Sequence, residues 1–286
     1  MKQIFLNERK LNTILYSIGL VIFLCLSLGP LLWCLILSLS PEQEILRSTS
    51  QILPTHLSFE NFAQILNPDT RVHKTIMQAL ENSLYCALFA TILGVLSSLS
   101  CAYGFFRFRI CFKTYLLQAI ILTIVIPVFA TVIPIYSLYS QLGILNNLSW
   151  VSLVFVSSYL PLNTWIMINY FKSIPKSIWE AASLDGCTEI QSFFKIILPL
   201  SYPIIACSAL LFFIMAWSQF QVPLILTSSQ ANKVITLVLS EFMSRDTVSY
   251  GAIAACGLFS ILPPACLSLI FRKFLVQGLT SGAVKA

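Results

Sequence analysis

Long apolar runs without a single charge constrain this chain more than any other feature. Thr13–Ser40, Asn82–Phe106, Thr114–Phe171, Ile196–Asn232 and Thr247–Phe271 contain no Asp, Glu, Lys, Arg or His. A bilayer core of about 30 Å is crossed by roughly 20 apolar residues in helical form. Backbone in lipid must satisfy its own polar groups, which a helix does. The runs therefore predict an all-α integral membrane protein. Thr114–Phe171 is too long for one helix, and the polar turn Ser140–Asn147 divides it. Six spans are expected, at 13–39, 83–106, 115–138, 150–171, 201–225 and 249–271. Composition agrees: 10% of residues are charged and mean hydropathy is +0.85, whereas soluble domains have about a quarter of their residues charged. The first run is too long for the core of a cleavable signal peptide, and no small-x-small site follows it closely, so it reads as an uncleaved span.

Lysine and arginine set the orientation. With residues 1–12 in the cytoplasm, the inner segments hold twelve basic residues and four acids, a net +8. The outer segments hold five basic residues and seven acids, a net −2, so the net charge of +6 reflects topology and not nucleic-acid binding. Both termini are then cytoplasmic, with a tail over 272–286, and so is segment 172–199. The nine cysteines lie mostly in apolar runs with no C-x-x-C spacing and read as packing residues. His56 and His73 stand alone and suggest no metal site. Absence of ionisable groups from the spans argues against an ion-coupled carrier or a membrane-embedded enzyme.

Segment 172–199 is a charged island in this apolar chain. Ser177 with Glu180 fits a capping box after Pro175, and Gly186 suits a helix C-terminus. Thr188 with Gln191 fits a second capping box, opening a helix that runs to a break at Pro199. The expectation is two short helices hinged at Gly186. The acids Glu180 and Asp185 suit either a basic partner protein or Lys172, Lys176 and Lys195 of the same loop. On pattern alone, a docking site and a plain surface helix stand level.

The series Glu180-Ala181-Ala182, three residues, Gly186, nine residues, Ile196-x-Leu198-Pro199 resembles the signature loop of permease subunits of ABC importers. Asn82-Ser83, the segment Ala102–Arg109, Ala216–Phe220 with Pro223-Leu224, and the tail Gly278–Lys285 resemble its carbohydrate branch, in particular the smaller permease of maltose-type and glycerol-phosphate-type importers. Ser218 departs from that pattern, where relatives commonly carry Asn. The resemblance covers about residues 60–286. It implies a type I importer permease fold whose loop between spans 4 and 5 docks on an ATP-binding cassette subunit. Glu180 is then the electrostatic anchor, Ala181 and Ala182 the flat contact face, Asp185 a second acid and Gly186 the turn.

It implies as partners a second permease subunit, an ATPase dimer and an extracytoplasmic solute-binding protein, in a bacterial-type inner membrane. No phosphate-cradling G-x-x-x-x-G-K-[ST] occurs here. No cofactor is therefore expected on this chain, and ATP and Mg belong to the partner ATPase. The implied function is translocation of a sugar or, alternatively, of glycerol 3-phosphate or another small polar solute. Amide and aromatic groups suit such solutes, and Asn82, Ser83, Trp217, Gln219 and Gln221 are the candidate pore residues.

Overall fold

The structure, a computed structural model, describes residues 2–47, 53–244 and 249–280. Their regular structure is all helical, with no strand among them. In chain order the helices are α1 (Lys2–Ser38), α2 (Glu42–Arg47), α3 (Glu60–Leu66), α4 (Arg71–Arg107), α5 (Lys113–Ile124), α6 (Val128–Gln141) and α7 (Leu148–Ser173). Then come α8 (Lys176–Leu184), α9 (Glu189–Ser192), a π turn over Phe193–Ile197, and α10 (Leu198–Leu200). The last four are α11 (Tyr202–Trp217), α12 (Gln221–Leu226), α13 (Ile235–Ser244) and α14 (Tyr250–Thr280).

Among the described residues four helices are long and apolar enough to cross a membrane: Asn12–Ser38 of α1, α4, α7, and Tyr250–Phe274 of α14. The pair Glu189–Leu200 and Tyr202–Trp217 meets that test jointly, bent by 72°. Two expected spans are broken. The third is α5 plus α6, because Pro127 has no N–H to continue the ladder and sits extended at φ −65, ψ 133. The preceding residues close a tighter turn, Ile126 N–H to Thr123 C=O at 3.3 Å. The fifth ends at Trp217. Pro223 cannot donate to the Gln219 carbonyl four residues back, and the Thr236 hydroxyl serves that carbonyl instead, at 2.7 Å. The chain resumes as α12. The sixth helix is longer than expected, reaching Thr280; the tail beyond it lies outside the described residues.

Two compact units divide the chain, residues 1–76 with 239–261 and residues 77–238 with 262–286. In the first, the Glu42 carboxylate accepts from Ser249 Oγ at 2.8 Å and from the Tyr250 N–H at 3.1 Å, placing a negative charge at the free amides that open α14. Asn61, buried, donates to the carbonyls of Ser38 and Ser40 at 3.0 and 3.2 Å. Gly251 leaves room for it: a Cβ there would lie 2.4 Å from Asn61 Nδ2.

The second unit is built on α7, which packs against α5 and α11. Its turn from α6 has Gly143 and Asn146 at positive φ (67° and 59°), and Asn147 caps α7 by accepting from the amides of Ser149 and Trp150. This is the polar turn expected at 140–147. Between α4 and α11, Gly94 faces the Phe212 ring so closely that a Cβ would lie 2.3 Å from it. The buried Ser208 hydroxyl of α11 donates to Asn163 Oδ1 of α7 at 2.7 Å.

Candidate functional site: a clamped loop and an acceptor-lined cleft

α8 begins directly after Pro175, which caps it without a side-chain hydrogen bond. The first expected capping box is therefore not formed, because Ser177 and Glu180 lie within the helix and not at its N-cap. The far end behaves as expected. Gly186 takes φ +73, the Cys187 N–H reaches the Ala182 carbonyl at 3.0 Å and the Gly186 N–H reaches Ser183 at 3.2 Å, a Schellman closure. The second capping box is present, with Thr188 Oγ1 accepting from the Gln191 amide and Gln191 Oε1 from the Thr188 amide. The following helix passes through the π turn and Pro199 and breaks at Ser201, two residues later than expected. Pro203 withholds the N–H that the Pro199 carbonyl would need.

Ser177, Glu180, Ala181 and Leu184 of α8, spaced i, i+3, i+4, i+7, are exposed, as is Ser183, with Asp185 and Gly186 exposed just beyond. Ala182 is not on that face. At 3% exposure it packs inward with Trp179, which corrects its assignment to a flat contact surface. Leu184, 88% exposed, takes its place beside Ala181. Ile190 and Phe194, at i and i+4 in the next helix, are also exposed.

Sequence reasoning missed what holds the loop. Trp179 lies 5.4 Å from the ring of Phe106 and 5.9 Å from that of Tyr103, and Tyr103 meets Phe193 edge-on at 4.6 Å. The Arg107 guanidinium forms a two-pronged ion pair with Glu189, with Nε to Oε2 at 2.9 Å, and stands 5.8 Å over the Trp179 ring. Tyr103 adds a 3.3 Å hydrogen bond to the same carboxylate. Hydrogen bonding from Arg107 lowers the Glu189 pKa below its ordinary value. The C-terminal end of α4 thus grips both helices of the loop. Glu180 and Asp185, expected as ion-pair candidates, form no ion pair among the described residues. No sequence spacing links 107 to 189; only the expectation that both segments lie on one side of the membrane hinted at it.

The five pore candidates converge partly, around residues 231–236. Asn82 Nδ2 donates to the carbonyls of Ala231 and Lys233 at 2.8 and 2.9 Å. Ser83, buried, accepts from the Ile235 amide at 2.8 Å. Both therefore hold this loop. Trp217 is buried and stacked on Phe213 at 5.6 Å. Gln219, in the α11–α12 break, donates through Nε2 to the Tyr159 hydroxyl, and Gln221 opens α12, half-buried. Asn146 clasps the same loop from the α6–α7 turn, its Oδ1 accepting from the amides of Ser228 and Ser229 at 2.7 and 2.8 Å.

Tyr159 leads to a feature no motif announced. A cleft of about 330 Å³ opens where α5 and α6 break, against the proline-bearing middle of α7, and Thr123, Thr131, Ser157, Ser158, Tyr159 and Pro161 contribute to its wall.

Residues 90–281 match the family described as binding-protein-dependent transport system inner membrane component. The chain belongs to that family. It is similar to the trehalose/maltose transport system permease protein MalG of Thermococcus litoralis, 30% identical over 98% of this chain and 99% of that one. It is also similar to the sulfoquinovosyl glycerol transport system permease protein SmoH of Agrobacterium fabrum, 29% identical over 98% and 95%. A chain of a bacterial ABC transporter that imports the acidic polysaccharide alginate shares its fold, with a TM-score of 0.77 at 20% identity over 92% of this chain and 96% of that one. This member of the family is accordingly a multi-pass permease component of an ABC transport system, and not itself an enzyme.

Proposed function

We propose that this chain is the smaller of two permease subunits of an ATP-driven sugar importer in a bacterial-type inner membrane. Its permease domain spans 13–271 between a cytoplasmic N-terminus (1–12) and tail (272–286). It crosses the lipid six times: by α1, α4, α5 with α6, α7, α11 and α14. A binding protein delivers solute from outside, and an ATPase dimer carrying the ATP and Mg docks on the loop between spans 4 and 5. The subunit itself carries no cofactor and contacts no nucleic acid.

The observation that carries this reading is the loop's construction. α8 is closed by a Schellman turn and held to α4 by Trp179 against Phe106, while the Arg107–Glu189 pair fastens α9 to the same end of α4. The exposed face of α8 bears one acid, Glu180, among small and apolar residues. A partner that pushes there moves α4 directly, and moves α11 through the π turn and the bend at Ser201. The names of the similar proteins, among them trehalose transport system permease protein SugB of Mycobacterium tuberculosis, favour a saccharide.

Glu180→Lys reverses the anchor's charge, and Gly186→Leu forces a side chain into the left-handed region at a strain of about 1–2 kcal/mol. Open space surrounds Gly186, so a bulky residue there obstructs only a partner. Both variants should insert normally yet lose ATPase co-purification and uptake. Full assembly and transport in both would overturn the docking role.

A further inference from the structure

We infer that residues 227–236 form a fixed strap, and that Asn82, Ser83 and Asn146 are positioning residues that make it travel with α4 when the docking loop moves. The inference rests on the importer reading above and supplies the far end of its lever.

Residues distant in sequence hold the strap by their side chains. Asn82 donates to the carbonyls of Ala231 and Lys233, and Ser83 accepts from the Ile235 amide. From the α6–α7 turn, Asn146 Oδ1 accepts from the amides of Ser228 and Ser229. Thr236 donates to the Gln219 carbonyl in the α11–α12 break, and Gln219 in turn donates to Tyr159 of α7. The strap therefore bridges α4, α7 and that break. Within 227–234 the three-residue turn Gln230–Asn232 is the one piece of regular structure, so the strap's backbone takes its order from these groups.

Magnitude decides whether the strap opens or moves whole. One hydrogen bond is worth about fivefold in an equilibrium, and coupling between distant sites commonly amounts to about 5–150-fold. Six bonds hold the strap: two from Asn82, one to Ser83, two to Asn146 and one from Thr236. Four of them acting independently reach about 600-fold, above that range. A push on α4 is thus met by displacing the strap whole, not by opening it.

α4 suits the part of a connecting rod. Among the described residues it is the one helix long enough to cross a membrane that contains no proline; α1 has Pro30, α7 has Pro161, and α14 has Pro263 and Pro264. It therefore lacks the commonest cause of a sharp kink. Its C-terminal end holds the docking loop through Tyr103, Phe106 and Arg107. Asn82 stands 25 residues before Arg107, about 37 Å away along the helix axis.

The same substitution at two sites tests this. Asn146→Asp keeps an acceptor for both strap amides and for the Ser228 hydroxyl, and Asp tolerates the left-handed backbone there, at φ 59. Asn82→Asp instead sets a charge against two carbonyls that need a donor. The chain, assembled with its partner permease and ATPase in lipid nanodiscs, is measured by hydrogen exchange and by ATP hydrolysis. Exchange is read without nucleotide and after trapping with ATP and vanadate. In the wild type, protection of the Ser228, Ser229 and Ile235 amides should agree between the two states within about twofold. Asn146→Gly should lower protection of Ser228 and Ser229, and the rate of hydrolysis, about fivefold each; Asn146→Asp should restore both. Asn82→Asp should lower hydrolysis about fivefold, because a freed strap lets α4 settle out of register with α7 and fewer molecules stand ready to follow the docking loop. Loss of wild-type protection in the trapped state overturns the fixed strap. Equal hydrolysis by wild type, Asn146→Gly and Asn82→Asp overturns the transmission and leaves the importer reading standing. If no ATPase assembles with the chain, the importer reading falls and the inference falls with it.

Discussion

The Arg107–Glu189 pair decides little about whether this protein folds and, under the proposed docking role, much about how it transmits motion. Both side chains are partly exposed, and such pairs contribute about 0–1 kcal/mol. Glu189→Gln should leave expression and thermal stability nearly unchanged, yet lower transport in step with the loop's loosened grip on α4; measuring melting temperature beside uptake separates the two. The pair also carries a pH signature. Its folded-state carboxyl pKa is depressed, so its contribution is complete above the ordinary carboxylate value of 4.5 and is lost as pH falls through the lower folded value. Trp179 fluorescence should change over that acid range in the wild type and stay flat in Glu189→Gln. Neither partner was legible beforehand. Glu180 and Asp185 drew attention because they sit in a motif, whereas Glu189 acts through a residue 82 positions away. Legibility was better where partners are close in sequence, as with Thr188 and Gln191, whose reciprocal bonds span only three residues.

At the scale of elements, apolar runs revealed where helices lie, but not where they break. Pro30, Pro134, Pro161, Pro263 and Pro264 all sit inside continuous helices. Pro127, Pro203 and Pro223 lie at breaks. The residue type is the same; at Pro223 a distant group, the Thr236 hydroxyl, serves the carbonyl that the proline leaves unpaired. That information is tertiary, so the third and fifth spans read as unbroken. The cleft was hidden for the same reason, since it exists only because α5 and α6 are two pieces. Packing between elements was equally silent about Gly94, one glycine among ten. Its contact with Phe212 makes Gly94→Ala a test of α4–α11 packing. Overpacking of this kind costs about 1–3 kcal/mol, so the melting temperature in detergent should fall, and Phe212→Leu in the same chain should restore part of it.

For the molecule as a whole, the distribution of charge was the most legible property. Twelve basic residues on one side against five on the other predict which loops meet the cytoplasm. Alkaline phosphatase, active only outside the cytoplasm, should be active when fused after Glu60 and inactive when fused after Asp185; the reverse pattern would sink the proposed orientation. Among the described residues, Trp179 Nε1 and Ser201 Oγ, at the two ends of segment 179–201, are buried with no hydrogen-bond partner in the chain.

The π turn at Phe193–Ile197 turns chain length into a compass bearing. One residue added to or removed from a helix swings everything beyond it by about 100°, and a π turn accommodates one such residue without breaking the helix. Between Thr188 and Ser201, then, the number of residues matters more than their kind. A side chain replaced there alters a contact, but a residue gained or lost would aim the face of Glu180 and Leu184 elsewhere. Insertions and deletions in this stretch should be far scarcer than substitutions in any functional descendant of the chain.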